Sequence, residues 1–480
     1  MTAVAAPSAS LDAATWDDAT DDLVRTLREL IRIRSVNPPP PDAPDGELHA
    51  ARWIAAYLAD LGLEPHVVEP FPGRGSVHAR LRSDGTGGDP LLLLSHLDVV
   101  PAPPERWSHG PFAAELVDGY VYGRGALDMK STVALDLGVV RLLAGEARAA
   151  GVDPARDAIP GLRRDVLFTS TADEEAGGLA GVAWIVEHRP DWLRAAGALS
   201  EAGGVATTIA GKRFYPIQVA EKGYAPFRIT VRGTWAHGSM PRDDNAAVLA
   251  AKVVERLAQP GPVRITPVME RFLQVVAAEL PEAAPLLDAL AGDDPRRAEA
   301  ALAAACDAHP ARVLRALVRD SISPTVVRAG IKYNVIPGEA VIEVDCRILP
   351  GTSPEDMEAQ LVDRLGPELA AVCDIELIIF GPSVESPAEG ELYDLLEATI
   401  RDHDPEAIPL PLMAPFGTDA KHTIAMGTPT YGFSPLRPAA DDPYLELWHG
   451  VDERVSVDNY AGSVRFYAQF VRDFAGERAA

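Results

Sequence analysis

The chain is 480 residues long, 47% hydrophobic and 24% charged, with a formal net charge of −26. It is too long for one ordinary domain and apolar enough to bury a sizeable core. Acidity on this scale repels phosphate backbones and anionic lipid, which argues against nucleic-acid and membrane partners, while it suits divalent cations, which need carboxylates.

The stretch MTAVAAPSASLDAATWDDAT has no basic segment followed by a hydrophobic one, and no apolar run reaches membrane-spanning length, so a cytoplasmic protein is expected. Helical apolar spacing begins at Asp21, in DDLVRTLRELIRIRSV, and stops at the proline-rich NPPPPDAPDG. HAARWIAAYLADLGL is a second predicted helix, closed by Gly62. PLLLLSHLDVV and RRDVLFTSTAD read as buried strands with the helical KSTVALDLGVVRLLAGEARAA between them. This alternation predicts an α/β sheet with helices on its faces. Sites in such sheets form at the carboxyl ends of strands, where His96 and the cluster Asp173, Glu174 and Glu175 fall.

From about residue 223 the pattern changes. YAPFRITVRGT alternates like a half-buried strand and NAAVLAAKVVERLA is helical; SPTVVRAGI, AVIEVDCRI, the helix SPEDMEAQLVDRLG and the strand AVCDIELIIF follow. The order β-α-β-β-α-β predicts a ferredoxin-like unit, with an alanine-rich helical insertion near residues 260–320. The expected architecture is a catalytic α/β sheet-and-helix domain, residues 1–222 and 379–480, interrupted by a ferredoxin-like α+β domain at 223–378. Cys306, Cys346 and Cys373 show no CxxC spacing and read as buried thiols.

His96 emerges from a buried strand, and Asp98, two residues on, is placed to bond the far nitrogen of its imidazole. Asp128, in VYGRGALDMK, comes just before a helix, where an N-cap is the common use of aspartate. Glu174 and Glu175 open a glycine-bearing turn, Glu201 in GALSEAGG follows a short apolar run, and His449 in ELWHGVDERVSV precedes a turn. Singly, each has an ordinary structural use. Together, two histidines and four carboxylates suit two divalent cations about 3.5–4 Å apart, bridged by one carboxylate and a water. Two cations would relieve the repulsion between Glu174 and Glu175, one holding a metal while the other takes a proton from the bridging water; spacing leaves open which does which.

LIRIRSVNPP, LLLLSHLDVVP, WSHGPF, DGYVYGRGALDMK, TADEEAGG, HGSMP, YNVIPGEA, DCRILPG, FGTDA and HGVDERV follow one another along nearly the whole chain. In these motifs the sequence resembles the M20 metallopeptidases, a family of aminoacylases, carboxypeptidases, desuccinylases and dipeptidases. The resemblance implies a hydrolase that cleaves an amide or peptide bond beside a free carboxylate, as in an N-acyl amino acid or a dipeptide. His96 and Glu201 would bind one ion, Glu175 and His449 the other, and Asp128 would bridge them. Glu174 would be the general base toward the metal-bridged water, with Asp98 supporting His96. The interrupting domain would be a lid and the contact of a homodimer, its His237 reaching a neighbouring active site to steady the oxyanion. Arg347 and Asn334 would hold the substrate's carboxylate, and Gly417 would line the same pocket. Zinc, manganese or cobalt would serve as the ion.

Three departures from the family pattern stand out. SEAGG replaces the common DEGG, so Glu201 rather than Ser200 must be the ligand, and FGTDA places bulky Phe416 where the family commonly has glycine. The helical insertion is longer than in the smallest relatives. Two rival readings are a di-metal phosphoesterase and a catalytically idle binding protein of the same fold.

Overall fold

The computed structural model describes residues 13–476 except 210, 291, 293, 295, 298–299, 302–307 and 439–441. The chain divides into two compact units, Met1–Val219 with Ser386–Leu410 and Thr418–Ala480, and Ala220–Glu385 with Pro411–Gly417.

The first unit is built on a twisted sheet. Its strands run in the spatial order His66–Phe71, Arg74–Leu81, Val166–Thr171, Leu91–His96, Gly197–Ser200, Thr430–Gly432 and Lys212–Glu221. The four central strands, from Val166–Thr171 to Thr430–Gly432, are mutually parallel. Every residue of Leu91–His96 and of Val166–Thr171 is buried, because helices cover both faces; hence their continuous rather than alternating apolar runs. On one face Leu92, Leu94, Leu167 and Ala198 pack on Val182, Ile185, Trp192 and Leu193. Elsewhere in the unit the helices Ala13–Arg32, Lys130–Ala149 and Val457–Ala475 pack on one another. The buried Lys130 joins two of them, its Nζ donating to the carbonyls of Leu30 at 2.9 Å and Ile33 at 2.7 Å. The same carbonyls also accept the N–H groups of Ile33 and Ser35, so Lys130 adds a second bond to each.

In the second unit the antiparallel strands Ser321–Ala329, Glu339–Ile348, Phe227–Arg232 and Cys373–Leu377 lie side by side in that order. With the helices Ala246–Leu257 and Pro354–Ala370 they form the ferredoxin-like unit, whose core joins Ile229, Val231, Val253, Ile342, Val344 and Leu361. The insertion carries the helices Pro267–Glu279, Ala284–Leu290 and Ala308–Leu317.

Three local features differ from the periodicity. The first helix starts at Ala13, eight residues early, because alanines sustain helix where polar neighbours hide the apolar spacing. The helix from Pro354 kinks at Gly366, whose φ of +72° precedes Pro367. The ladder of the strand Cys373–Leu377 closes at Leu377, opposite Phe227; Ile378 donates its N–H to the next carbonyl at 2.8 Å but receives no bond in return. The next partner would be Pro226, which has no N–H to donate. Cys346 is buried and Cys373 half-buried; Cys306 lies outside the described residues. Among the described residues no helix is long and apolar enough to cross a membrane.

Gly432 shows how closely the sheet confines the chain beside Glu201. A Cβ there would meet the Glu201 carbonyl oxygen at 2.0 Å and Gln218 Cβ at 2.8 Å. Gly432→Ala should therefore destabilise the protein by about 1–3 kcal/mol in denaturant unfolding. Gly462→Ala, inside the helix Val457–Ala475 with open space around it, should be neutral or stabilising.

Candidate metal centre

The carboxyl ends of the parallel strands deliver most of the acidic and imidazole groups to one place. His96 ends its strand, in register with Thr171 on the neighbour. After Thr171 the chain makes a single tight turn, Glu174–Ala176, flanked by Asp173 at φ +70° and Gly177 at φ +103°. Glu201 follows the strand Gly197–Ser200, and Ala202 after it also has a positive φ, +73°. Asp128 and His449 come from loops instead. Asp128 does not cap the following helix, whose N-cap is Met129.

These residues form two triads that share one aspartate. One ligand atom each from His96, Asp128 and Glu201 lies within 4.8 Å of the others, and the same holds for Asp128, Glu175 and His449. Asp128 Oδ1 is 3.2 Å from His96 Nε2, while Oδ2 is 3.0 Å from His449 Nε2. Glu201 Oε2 approaches His96 Nε2 at 3.5 Å, and Glu175 Oε2 approaches His449 Nε2 at 3.3 Å. Glu174 Oε2 stands at the edge of the first triad, 4.0 Å from His96 Nε2.

Asp98 organises this cluster more widely than a link to one histidine. His96 Nδ1 donates to the backbone oxygen of Asp98 at 3.0 Å, with Asp98 Oδ1 at 3.4 Å. That proton fixes the tautomer and aims Nε2 at the triad. The Asp98 carboxylate also accepts the N–H groups of Glu174 at 3.1 Å and Glu175 at 3.0 Å, and the Asn37 amide at 2.8 Å. Behind it, Arg74 donates to Asn37 and to Glu47, and Glu47 accepts the Asp173 N–H. No spacing in the sequence points to Asn37, Glu47, Arg74, Arg124 or Glu453 as parts of this site. RSVNPP, YGRG and HGVDERV did contain three of them.

Electrostatically the site lacks positive charge. Burial would push the His96 imidazolium down, but Glu201, Asp128 and Asp98 outweigh it and raise its pKa well above the ordinary value. Hydrogen bonds to Asp128 and Glu175 push His449 up to about 10. Burial, then the charge of Glu201, raises Glu174 well above the usual carboxylate range, and burial lifts Glu201 to about 7. Burial opposes ionisation of Asp128, yet His449 and His96 hold its carboxyl well below the usual range. Oε1 of Glu175 is buried with no hydrogen-bond partner. Protons on the two histidines thus do the work of cations. A set of two imidazoles and three carboxylates with an orphaned buried oxygen fits two divalent ions.

The remaining predicted residues belong to the second unit. His237 pairs with Val335 across a two-stranded ladder. Its Nδ1 accepts the Ser239 N–H at 3.2 Å, which leaves Nε2 as the protonated donor of the neutral ring; the side chain is exposed. Asn334 is its neighbour through the Gly238 N–H, with Oδ1 buried and unpartnered. The Arg347 fork is engaged by Asp345, at 2.8 and 3.1 Å, with Tyr224 beneath it. Gly417 closes the segment Pro411–Gly417, beside the partly exposed Phe416.

A profile described as peptidase family M20/M25/M40 matches residues 92–473. The N-fatty-acyl-amino acid synthase/hydrolase of Xenopus tropicalis is 29% identical over 407 residues, 80% of this chain and 72% of that protein. Aminoacylase-1 of Sus scrofa is 35% identical over 239 residues, 49% of this chain and 53% of its own length. Among solved structures, the M20 family metallo-carboxypeptidase Sso-CP2 from Sulfolobus solfataricus shares the fold. Its TM-score is 0.68 at 17% identity, covering 95% of this chain and 99% of that one.

Ion binding requires a neutral imidazole, whereas the metal-free protein keeps His449 protonated to about pH 10. The His449 ion pairs therefore stabilise the metal-free fold fully below the ordinary value of 6.5, and that contribution is lost as pH rises through about 10. Near pH 8, zinc binding should release a proton from this site. In calorimetry the binding heat should vary with the buffer's ionisation enthalpy, and affinity should climb with pH up to about 10. A buffer-independent heat would contradict the assignment of His449 as a ligand.

Proposed function

The chain belongs to peptidase family M20/M25/M40, and on that premise we propose that it is a two-ion hydrolase of N-acyl amino acids, with dipeptides as the second substrate class. The observation that carries this reading is the pair of triads sharing Asp128. The sequence relatives favour the acyl class, since one is named as an N-fatty-acyl-amino acid hydrolase and another as an aminoacylase.

In this reading His96, Asp128 and Glu201 hold one ion and Asp128, Glu175 and His449 the other, with zinc the first choice and manganese or cobalt alternatives. Bound ions would neutralise the carboxylates and supply Lewis acidity toward a water and a substrate carbonyl. The chain's own residues do the rest. Asp98 holds the Glu174 N–H and so sets where that carboxylate stands. Glu174 takes a proton from the attacking water and returns it to the leaving amine, a role suited to a carboxylate whose proton affinity burial and the nearby Glu201 raise. His237 offers its Nε2–H to the developing oxyanion, and Arg347 offers its fork to the substrate carboxylate in exchange for Asp345. Asn334 and Gly417 complete the recognition of that end, and a homodimer formed through the second unit is part of the same reading.

A phosphoesterase reading finds less support. Arg124 is committed to Glu453, and Lys130 to the Leu30 and Ile33 carbonyls, so neither basic group of that loop is offered to a phosphate.

Release of free amine from N-acyl amino acids of graded acyl length and from dipeptides, in zinc-, cobalt- or manganese-loaded protein, tests the function. Silence on all of them would sink it. Glu174→Gln should keep its metal content and lose about 100- to 10,000-fold in kcat; near-normal turnover would refute the base assignment. Arg347→Ala should raise KM about 10–100-fold, the size of a charge-assisted pair of hydrogen bonds, for substrates with a free carboxylate. It should leave kcat nearly unchanged, and an unchanged KM would remove Arg347 from recognition.

A further inference from the structure

Three of the five residues in the triads have strong local support. His96 and Glu201 are set by strand ends, and Glu175 by the Asp98 carboxylate. Asp128 and His449 sit on loops outside the sheet, more than three hundred positions apart in sequence, yet both must face the same ion. A short antiparallel ladder, Arg454–Ser456 against Tyr120–Tyr122, brings the two segments together, and beyond its end the loops themselves are joined by a buried ion pair, Arg124 with Glu453, whose side chains are 3% and 0% exposed.

Glu453 acts as the centre around which the Asp128 loop is wound. Its Oε1 accepts the N–H groups of Gly125 at 3.1 Å, Leu127 at 2.7 Å and Asp128 at 3.1 Å. Its Oε2 accepts from Arg124 Nη1 at 2.6 Å, and its backbone oxygen from the Gly123 N–H at 2.9 Å. Arg124 reaches the other way. Its Nη2 donates to the carbonyls of His449 at 3.3 Å and Gly450 at 3.0 Å, and its guanidinium lies over the Trp107 ring at 5.2 Å. One guanidinium thus ties the carboxylate that shapes the Asp128 loop to the backbone that carries His449. A buried pair of this kind contributes little net stability over an apolar replacement, and its best-attested use is to specify one geometry.

We propose that Arg124 and Glu453 are the positioning pair of the second ion site: by fixing the Asp128 loop against the His449 loop they set the affinity of the Asp128, Glu175 and His449 triad, while the His96, Asp128 and Glu201 triad retains its ion without them. The inference rests on the two-ion reading above. Arg124→Lys keeps a charge beside Glu453 but replaces a planar fork with a single point donor, which cannot serve both loops. Glu453→Gln keeps the shape, but its amide turns an N–H₂ either against Arg124 or against the loop N–H groups.

The test is a zinc titration of the full chain against a competing chelator, with metal counted per chain. Anomalous diffraction at limiting zinc would locate the ion that remains. Wild type should show two binding steps. Each variant should keep one at wild-type affinity and weaken the other about 10–100-fold, the usual effect of removing a ligand's supporting partner. The retained ion should lie among His96, Asp128 and Glu201. Turnover of Arg124→Lys should recover toward wild type as free zinc is raised, which a general loss of structure would not allow. Equal weakening of both steps, or no weakening in either variant, overturns the inference. A wild-type isotherm with fewer than two steps instead overturns the two-ion reading on which it stands.

Discussion

Crowded negative charge is the condition to which the rest of this structure answers. Asp128, Glu174, Glu175 and Glu201 converge around two imidazoles, all at one end of a sheet whose strands exclude water. Buried carboxylates in such proximity repel one another, and the protein meets this with two resources. Backbone N–H groups are turned inward onto Asp98 and Glu453. Imidazoles are driven to carry protons. The remaining deficit is what a pair of cations fits.

The parallel strands and the tight turns that follow them serve this arrangement directly. Strands in register bring His96 level with Thr171 and so beside the Glu174–Ala176 turn. The backbone departs from ordinary conformations where the sheet ends: Asp173, Ala202 and His449 all have positive φ without being glycine. A left-handed residue of this kind costs about 1–2 kcal/mol, and such residues gather at functional sites because surrounding contacts hold them there. For Asp173 the surroundings are identifiable: its carboxylate accepts from Asn37 and the Ala180 N–H, and its own N–H is held by Glu47.

Much of this was legible along the chain, and the legible part has a common physical cause. A residue that follows a continuous apolar run must emerge at a strand end, so LLLLSH, VLFTST and GALS each announced the polar group that comes next. The ferredoxin-like order of elements in the second unit was readable for the same reason, since alternation and helical spacing are local properties. Contacts between loops are not local. Nothing near Glu453 in sequence indicates that its partners lie at 124–128, and nothing near Asn37 indicates Asp98. Asp345 and Arg347 are an intermediate case. Two residues apart on one strand, they share a face, and their pairing could have been anticipated from that spacing alone.

The order in which the triads draw on the chain has a consequence for its synthesis. His96, Asp128 and Glu201 all precede the second unit, whereas His449 follows it. Even the wall beside Glu201 is supplied late, by Thr430–Gly432 laid against Gly197–Ser200. A chain still on the ribosome therefore carries every donor of the two triads but His449 long before that last one, and the second triad cannot be complete until the second unit has been made and passed. Assembly of the full set of donors is deferred by topology until the chain has returned from the second unit to the first.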